Sequence, residues 1–436
     1  MPSAKLICYN VASGGRPFLY KAPRGTADIL PEEQSYWRFV ESSAISLCRL
    51  YGYQRLDTPA FEDAQLFTRS IGEGTDIVTK EMYTFEDRSG NVLALRPEGT
   101  APVCRAYLEH GMDNLAQPVK LYYLATIFRY ERPQAGRYRQ HYQFGFEAIG
   151  DGDAVLDAEV IDMAWRLFES LGIGGLYLYI NSIGCKVCRP RYLEKLKSYY
   201  SGKLEDLCPD CRSRFEKNPL RLLDCKKDSC YPVAKAAPKS TDFLCRECLA
   251  HFESVVGYLE ALKLPFELNH RLVRGLDYYT KTVFEIQPPG EGAQSALGGG
   301  GRYDDLIQEL GGKPTPAIGF ASGMERVVLN LKKRKIAAPD ATAKPIFIAY
   351  VGNEAKLEAM KLTSTLRRAE IAAVMATGER SLKGQLRQAN GLCSNYTAII
   401  GENEVKAGKI TLRNMTSGEQ EILEPAALMK LLQEIT

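Results

Sequence analysis

Long apolar runs are absent from this chain. No stretch approaches the ~20 consecutive apolar residues that a bilayer-spanning helix requires, which excludes a helical membrane protein. Residues 1–17 also lack a charged start followed by an apolar core, so no secretory leader is read there, and the expectation is a cytoplasmic enzyme with an N-terminal extension. An excess of one charge is lacking too: 56 Lys and Arg against 53 Asp and Glu leave a formal net charge of +3. That excludes a generally basic surface, and any nucleic acid must be met by local patches. Neither a Walker loop nor a Rossmann glycine fingerprint occurs, which removes two nucleotide-binding folds. Histidine is scarce at four residues, and none has a spacing that suits an open catalytic metal site. What remains is a soluble globular composition, 45% apolar and 25% charged, in 436 residues, enough for two to three domains with substantial cores.

Cysteine, by contrast, is plentiful and unevenly placed. Of twelve cysteines, eight fall between residues 185 and 248. Cys185 and Cys188, Cys208 and Cys211, and Cys245 and Cys248 form three CxxC pairs, with Cys225 and Cys230 set wider apart. In a long chain of this composition such clustering points to metal and away from disulfides. A CxxC pair puts two thiolates on one tight turn, and two pairs complete a closed tetrahedral zinc site. Reduced, unliganded thiols are the plain alternative. Residues 186–256 are read as an inserted subdomain.

Residues 119–149, VKLYYLATIFRYERPQAGRYRQHYQFGFEAI, are the centre of the chain. Two runs rich in β-branched and aromatic residues flank a loop of Gly, Pro and charge, as in an antiparallel hairpin. Period two puts Arg129 and Glu131 on one face of the first strand; on the second, Gln143, Gly145 and Glu147 oppose Tyr142, Phe144 and Phe146. A sheet wetted on one side is the plain reading. The loop, with Arg132, Arg137 and Arg139 answered by Glu131 alone, suits a polyanion better. FRYERPQAGRYRQHYQFGFE resembles motif 2 of the class II aminoacyl-tRNA synthetases, in the wording of the histidyl-tRNA synthetases.

Other stretches extend the resemblance. A helix begins at Pro31, Glu32 and Glu33, a favourable N-terminus, and carries Trp37, Val40, Ala44, Ile45, Leu47, Cys48 and Tyr51 at helical spacing. With the strand YQRLDTP it resembles class II motif 1, which implies a dimer interface. A hairpin leads to RPEGT, where Pro97 and Gly99 bracket Glu98. RGLDYYT, with Arg274 before Tyr278 and Tyr279, and ALGGGGRYDDL resemble two signatures of the histidine-specific family. The glycine run would permit close backbone approach to a ligand, with a flexible turn as the alternative. A strand turning into a helix at SGMERVVLNL, with Arg326 at the positive helix end, resembles motif 3. Beyond a Pro/Ala-rich linker at 336–345, a βαβαβ pattern with a parallel sheet occupies 346–436 and resembles the family's anticodon-binding domain.

The fold expected is therefore α+β: a class II synthetase antiparallel sheet flanked by helices over residues 18–335, with an insert and a C-terminal α/β domain. The resemblance implies activation of L-histidine by ATP with Mg²⁺, transfer to tRNA(His), and a homodimer. By the same resemblance Arg129 and Arg274 are catalytic, and Arg129, Glu131, Arg137 and Arg326 bind ATP. Glu98, Thr100, Arg129, Gln143, Glu147, Arg274, Tyr278 and Tyr279 surround histidine, and Arg137 and Arg139 face the acceptor stem. The rival reading is the histidine-sensing regulatory subunit of ATP phosphoribosyltransferase, which resembles the same catalytic domain.

Overall fold

The alternation at residues 140–149 sets the frame. Phe144, Phe146 and Ala148 point into an apolar cluster, whereas Gln143 on the other face lines an open cleft. The computed structural model describes residues 20–72, 75–132, 136–289, 296–339 and 344–435. They fall into two compact units, one ending at Ala338 and the other beginning at Pro339.

The strands of the first unit are β1 (Gln54–Arg55), β2 (Phe61–Asp63), β3 (Thr84–Glu86), β4 (Val92–Leu95), β5 (Val119–Phe128), β6 (Gln140–Ile149), β7 (Tyr177–Ser182), β8 (Glu267–Leu268), β9 (Thr280–Gln287), β10 (Gly298–Arg302) and β11 (Ala317–Gly323). Eight of them form one sheet in the order β1-β5-β6-β11-β10-β9-β7-β8, and β2-β4-β3 make a smaller one. The large sheet is antiparallel through its six inner strands, with parallel pairing only at its two edges. The expected hairpin is β5 against β6, ten residues paired in register.

Aromatic side chains hold one face of that sheet to helices. Phe146 and Phe320 lie 5.1 Å apart and Phe284 stacks on Phe320 at 6.0 Å. They pack with residues of the helices Gln34–Leu50, Ala154–Ser170, Arg246–Ala261 and Met324–Lys333. Truncating one such buried ring costs about 3–5 kcal/mol. The helix Ala154–Ser170 starts where Asp153 accepts from the Val155 N–H at 2.9 Å, a side-chain N-cap. The opposite face of the sheet packs on the helix Thr100–Glu109 and on the cysteine-rich segment.

The glycine run brings backbone to the cleft, which Gly298 and Gly299 line, and it does so as a strand. Gly298, Gly299, Gly300 and Gly301 are a buried strand in the middle of the sheet, paired on both sides, and not a turn. Four glycines are tolerated there because neighbours fill the space that side chains would take. A Cβ on Gly299 would come within 2.7 Å of Arg274 Nη1, and one on Gly300 within 1.9 Å of the Gly319 carbonyl oxygen.

Arg302, the strand's last residue, has no exposed surface. Its Nε donates to Asp157 at 2.6 Å and its other nitrogens to the carbonyls of Asp151 and Asp153 at 3.0 and 2.8 Å. His251 meets the second Asp157 oxygen at 2.9 Å. This buried cluster ties the strand to the helix Ala154–Ser170.

The second unit has β12 (Ile346–Tyr350), β13 (Ala373–Met375), β14 (Tyr396–Ile400), β15 (Ile410–Asn414) and β16 (Gln420–Leu423) in the order β13-β12-β14-β15-β16. The first three are parallel, as expected; β15 and β16 add an antiparallel edge that the sequence reading lacked. Both are short, and β16 is mostly exposed, so neither has the continuous apolar run of a buried strand. The sheet is therefore mixed.

Gly300→Ala is expected to destabilise the chain by at least about 2 kcal/mol, since a methyl group there must push two backbones apart. Gly257→Ala, in the exposed part of the helix Arg246–Ala261 where an added Cβ meets nothing within 4 Å, should instead stabilise by about 0.5–1 kcal/mol. Thermal melts of the two variants should move in opposite directions.

Candidate active site

The cleft is built on Glu98. Arg96 is buried and donates to the carbonyls of Thr126 at 2.8 Å and Thr58 at 2.7 Å, which fixes the chain just before it. The Pro97 carbonyl accepts from Arg129 Nε at 2.7 Å. Glu98 then turns back so that the N–H groups of Thr100 and Ala101, at the start of a helix, each donate to its carboxylate at 2.7 Å. Burial raises its pKa in spite of those donors.

Beneath it lies a second carboxyl group. Glu147 is 1% exposed, accepts from Thr100 Oγ1 at 2.8 Å and from the Tyr303 hydroxyl at 2.6 Å, and is pushed from 4.5 to about 8 by burial, which the two donors and nearby Glu98 only modify. A Cβ on Gly319 would fall 1.6 Å from its Oε2, so glycine at that strand position is what leaves the carboxyl room.

Above this acidic floor stand four guanidinium groups. Arg129, Arg137, Arg274 and Arg326 come from the end of β5, the loop after it, the segment before β9 and the helix Met324–Lys333, and all line one cleft. Arg274 pairs with Glu285 at 2.8 Å and lies 5.9 Å from the Tyr279 ring centroid, while its Nε is buried with no hydrogen-bond partner among the described residues. Arg137 reaches Glu131 at 3.4 Å, and Arg326 donates to the carbonyls of Gly136 and Ala296, each at 3.1 Å. His141 lies among them. Burial, then Arg129 and Arg326, lowers its pKa to about 3, so its ring is neutral. An unpartnered guanidinium nitrogen beside three more such groups is a site for a polyanion.

Of the residues singled out from the sequence, Glu98, Thr100, Arg129, Glu131, Arg137, Gln143, Arg274, Tyr278, Tyr279 and Arg326 line this one cleft. Glu147 lies under the floor instead of in the wall. Arg139 is turned away from the wall and stacks on Tyr130, 3.8 Å from the ring centroid. The eight clustered cysteines resolve into two groups of four, Cys185, Cys188, Cys245 and Cys248, and Cys208, Cys211, Cys225 and Cys230. Sequence reading missed Tyr303, Tyr123, His141, Glu285 and Glu325. Glu285 was the visible signal among these: a charge between Phe284 and Ile286 in an otherwise buried strand asks for a partner. Tyr303 carried none, because its contact with Glu147 is made across 156 positions of sequence.

A family model described as histidyl-tRNA synthetase matches residues 25–186 and 223–327, and one described as anticodon binding domain matches 345–435. The histidine–tRNA ligase of Dehalococcoides mccartyi is 60% identical over 402 residues, 92% of this chain and 96% of that one. The crystal structure of apo S. aureus histidyl-tRNA synthetase superposes with a TM-score of 0.80 at 40% identity, covering 95% of this chain and 100% of that one. A structure described as an ATP phosphoribosyltransferase regulatory subunit/histidyl-tRNA synthetase from Bacillus halodurans shares the fold at 24% identity and a TM-score of 0.62, covering 86% of this chain and 97% of that one. An antiparallel sheet under a cationic cleft, joined to an anticodon-binding domain, defines an aminoacyl-tRNA synthetase. Within that class, the chain belongs to the histidyl-tRNA synthetase family.

The Glu147 carboxyl gives a pH signature. Its folded value, about 8, lies above its ordinary 4.5, so between those values the folded chain keeps a proton that the unfolded chain releases. The stabilisation is full below the ordinary value and is lost as pH rises through 8. The melting temperature of the wild type is expected to fall more between pH 6 and pH 9 than that of Glu147→Gln, whose amide does not titrate.

Proposed function

We propose that this cleft joins L-histidine to ATP and then passes the histidyl group to the 3′ end of tRNA(His). The protein is a histidine–tRNA ligase; the regulatory-subunit alternative is not favoured, since relatives at 60% identity across nearly their full length are ligases. A histidine carboxylate oxygen bonds to the α-phosphorus, the bond to the bridging oxygen breaks, and pyrophosphate leaves. A ribose hydroxyl of the tRNA then attacks the histidyl carbonyl carbon, and AMP departs. Placement and charge neutralisation are what such phosphoryl chemistry asks of a protein.

Arg129 holds the α-phosphate and Arg274 grips it from the other side, giving its unpartnered Nε an acceptor. Arg326 takes the far phosphates, Arg137 assists them at the rim, and Glu131 receives the adenine amino group. Mg²⁺ carried in with the nucleotide would screen the phosphate charge, and Glu285 would offer it a hard-oxygen donor of the kind it prefers. Glu98, Thr100 and Gln143 take the ammonium group. Glu147 and Tyr279 take the imidazole nitrogens, with Tyr278 packed alongside. A histidine ring in the pocket would let Glu147 give up its proton, and each oxygen of the resulting carboxylate accepts more than one hydrogen bond, so it can receive an imidazole N–H without losing Thr100 or Tyr303. A ring with two polar nitrogens is selected because an analogue without them leaves these buried groups unmet.

Arg137 and Arg139 face the acceptor stem. Residues 18–335 act as the catalytic domain, with 186–256 inserted, and 346–436 read the anticodon after a linker at 336–345. The enzyme works in the cytoplasm as a homodimer through its motif 1-like helix. The observation that carries the reading is the meeting of Arg129, Arg274 and Arg326 in one cleft over Glu98.

Histidine-dependent ATP–pyrophosphate exchange tests it. Glu147→Ala is expected to abolish exchange while leaving the circular dichroism spectrum unchanged; normal exchange at modest histidine would refute the imidazole assignment. Arg274→Ala should slow adenylate formation by well over tenfold, roughly 2–4 kcal/mol of lost transition-state stabilisation. An unaltered rate would remove Arg274 from the reaction. Tyr303→Phe, which deletes one donor to Glu147, should raise KM for histidine by about tenfold with little effect on KM for ATP.

A further inference from the structure

We propose that the chain binds two structural zinc ions, one in each cysteine group, and that the pair braces the segment carrying Tyr278 and Tyr279. In each group the four Sγ atoms lie within 4.8 Å of one another. Cys185 is 3.8 Å from Cys188 and 3.9 Å from Cys245, and Cys208 is 3.8 Å from Cys225, measured sulfur to sulfur. A disulfide needs about 2.05 Å, so these sulfurs are not bonded to each other. A tetrahedral ion with Zn–S bonds of about 2.3 Å places its sulfurs about 3.8 Å apart, the separation of these three pairs. A multi-iron cluster is bulkier and holds its thiolates farther from one another.

The sulfurs are largely shut away from water, where thiolates need a cation to balance them, and backbone donors meet two of them. Cys188, Cys211, Cys225, Cys230 and Cys248 are buried. Cys188, Cys208 and Cys245 are the N-cap residues of the helices Arg189–Ser201, Pro209–Lys217 and Arg246–Ala261, which places three of the eight thiols at positive helix ends. The N–H of Cys185 donates to Cys188 Sγ at 3.3 Å and that of Cys208 to Cys230 Sγ at 3.2 Å. The partition is not the one that adjacency in sequence suggests: the first and last CxxC pairs, sixty residues apart, share one ion, and the middle pair joins the wider-spaced Cys225 and Cys230.

Both groups adjoin the histidine side of the cleft. Gly184, next to Cys185, accepts from the Lys281 N–H at 2.9 Å and from Arg189 at 3.0 Å, and Arg189 also donates to the Tyr279 carbonyl. From the other group, Cys211, Cys225 and Cys230 share an apolar cluster with Tyr278 and Tyr279, and Asn218 donates to Asp277 at 2.8 Å. The ions therefore hold the backing of the tyrosine wall.

Elemental analysis of full-length protein, purified with reductant and without chelator, is expected to give two zinc ions per chain. Cys208→Ser/Cys225→Ser and Cys185→Ser/Cys245→Ser should each retain one. Where a variant does not fold, mercurial titration of the wild type answers the same question: zinc should be released into a chromogenic chelator in step with the reaction of eight thiols. Eight thiols that react without releasing metal, or iron in place of zinc, would overturn the proposal. In the variant lacking the Cys208 group, KM for histidine in pyrophosphate exchange should rise several-fold and KM for ATP much less. That last expectation rests on the histidine pocket proposed above, whereas the stoichiometry is read independently of it; two ions with an unchanged KM would overturn the bracing role.

Discussion

The bond between Arg302 and Asp157 is the contact on which the rest of the body depends. Both side chains are fully buried, and the guanidinium is satisfied by Asp157 and by the carbonyls just ahead of the helix Ala154–Ser170. Removing either charge leaves the other stranded out of water, a loss of about 3–5 kcal/mol in comparable cases. Its geometric effect is larger than its energy. Because successive residues at a strand end face opposite ways, anchoring Arg302 on the helix side turns Tyr303 toward the cleft, where its hydroxyl finds Glu147. The glycine strand that precedes it can then lie close to β11 and leave space for Arg274.

Two opposed electrostatic demands meet in the cleft. Its floor removes Glu98 and Glu147 from water, which raises both carboxyl groups, while its upper wall gathers four guanidinium groups, and burial with Arg129 and Arg326 keeps His141 neutral. A ligand that is cationic at one end and anionic at the other relieves both at once. The aminoacyl end and the phosphate end of a histidyl nucleotide have that polarity, so the site's unmet charges orient the substrate before any chemistry occurs.

Much of this was legible in residue order. The β5–β6 hairpin, the polar and aromatic faces of β6 and the helix that presents Arg326 all follow from period two and period 3.6, because each is a local pattern repeated several times. The glycine run was not legible as a strand, since glycine has no side chain through which a pattern can register; only Phe320, Arg274 and the Gly319 carbonyl, brought beside it by pairing, explain it. The short antiparallel edge of the C-terminal sheet escaped for a related reason, having too few apolar positions to show a period.

By itself, the sequence determined the types of group available, their alternation along each strand, and the presence of eight thiols in one region. Tertiary structure alone decided which of them meet: that Tyr303 and Thr100 share Glu147, that Arg274 keeps a nitrogen unpartnered, and that Cys185 stands with Cys245 and not with Cys208. The division has a physical cause. Local periodicity is set by backbone geometry within a few residues, whereas partner choice among buried polar groups is settled by long-range strand order and by the cost of leaving any of them unmet.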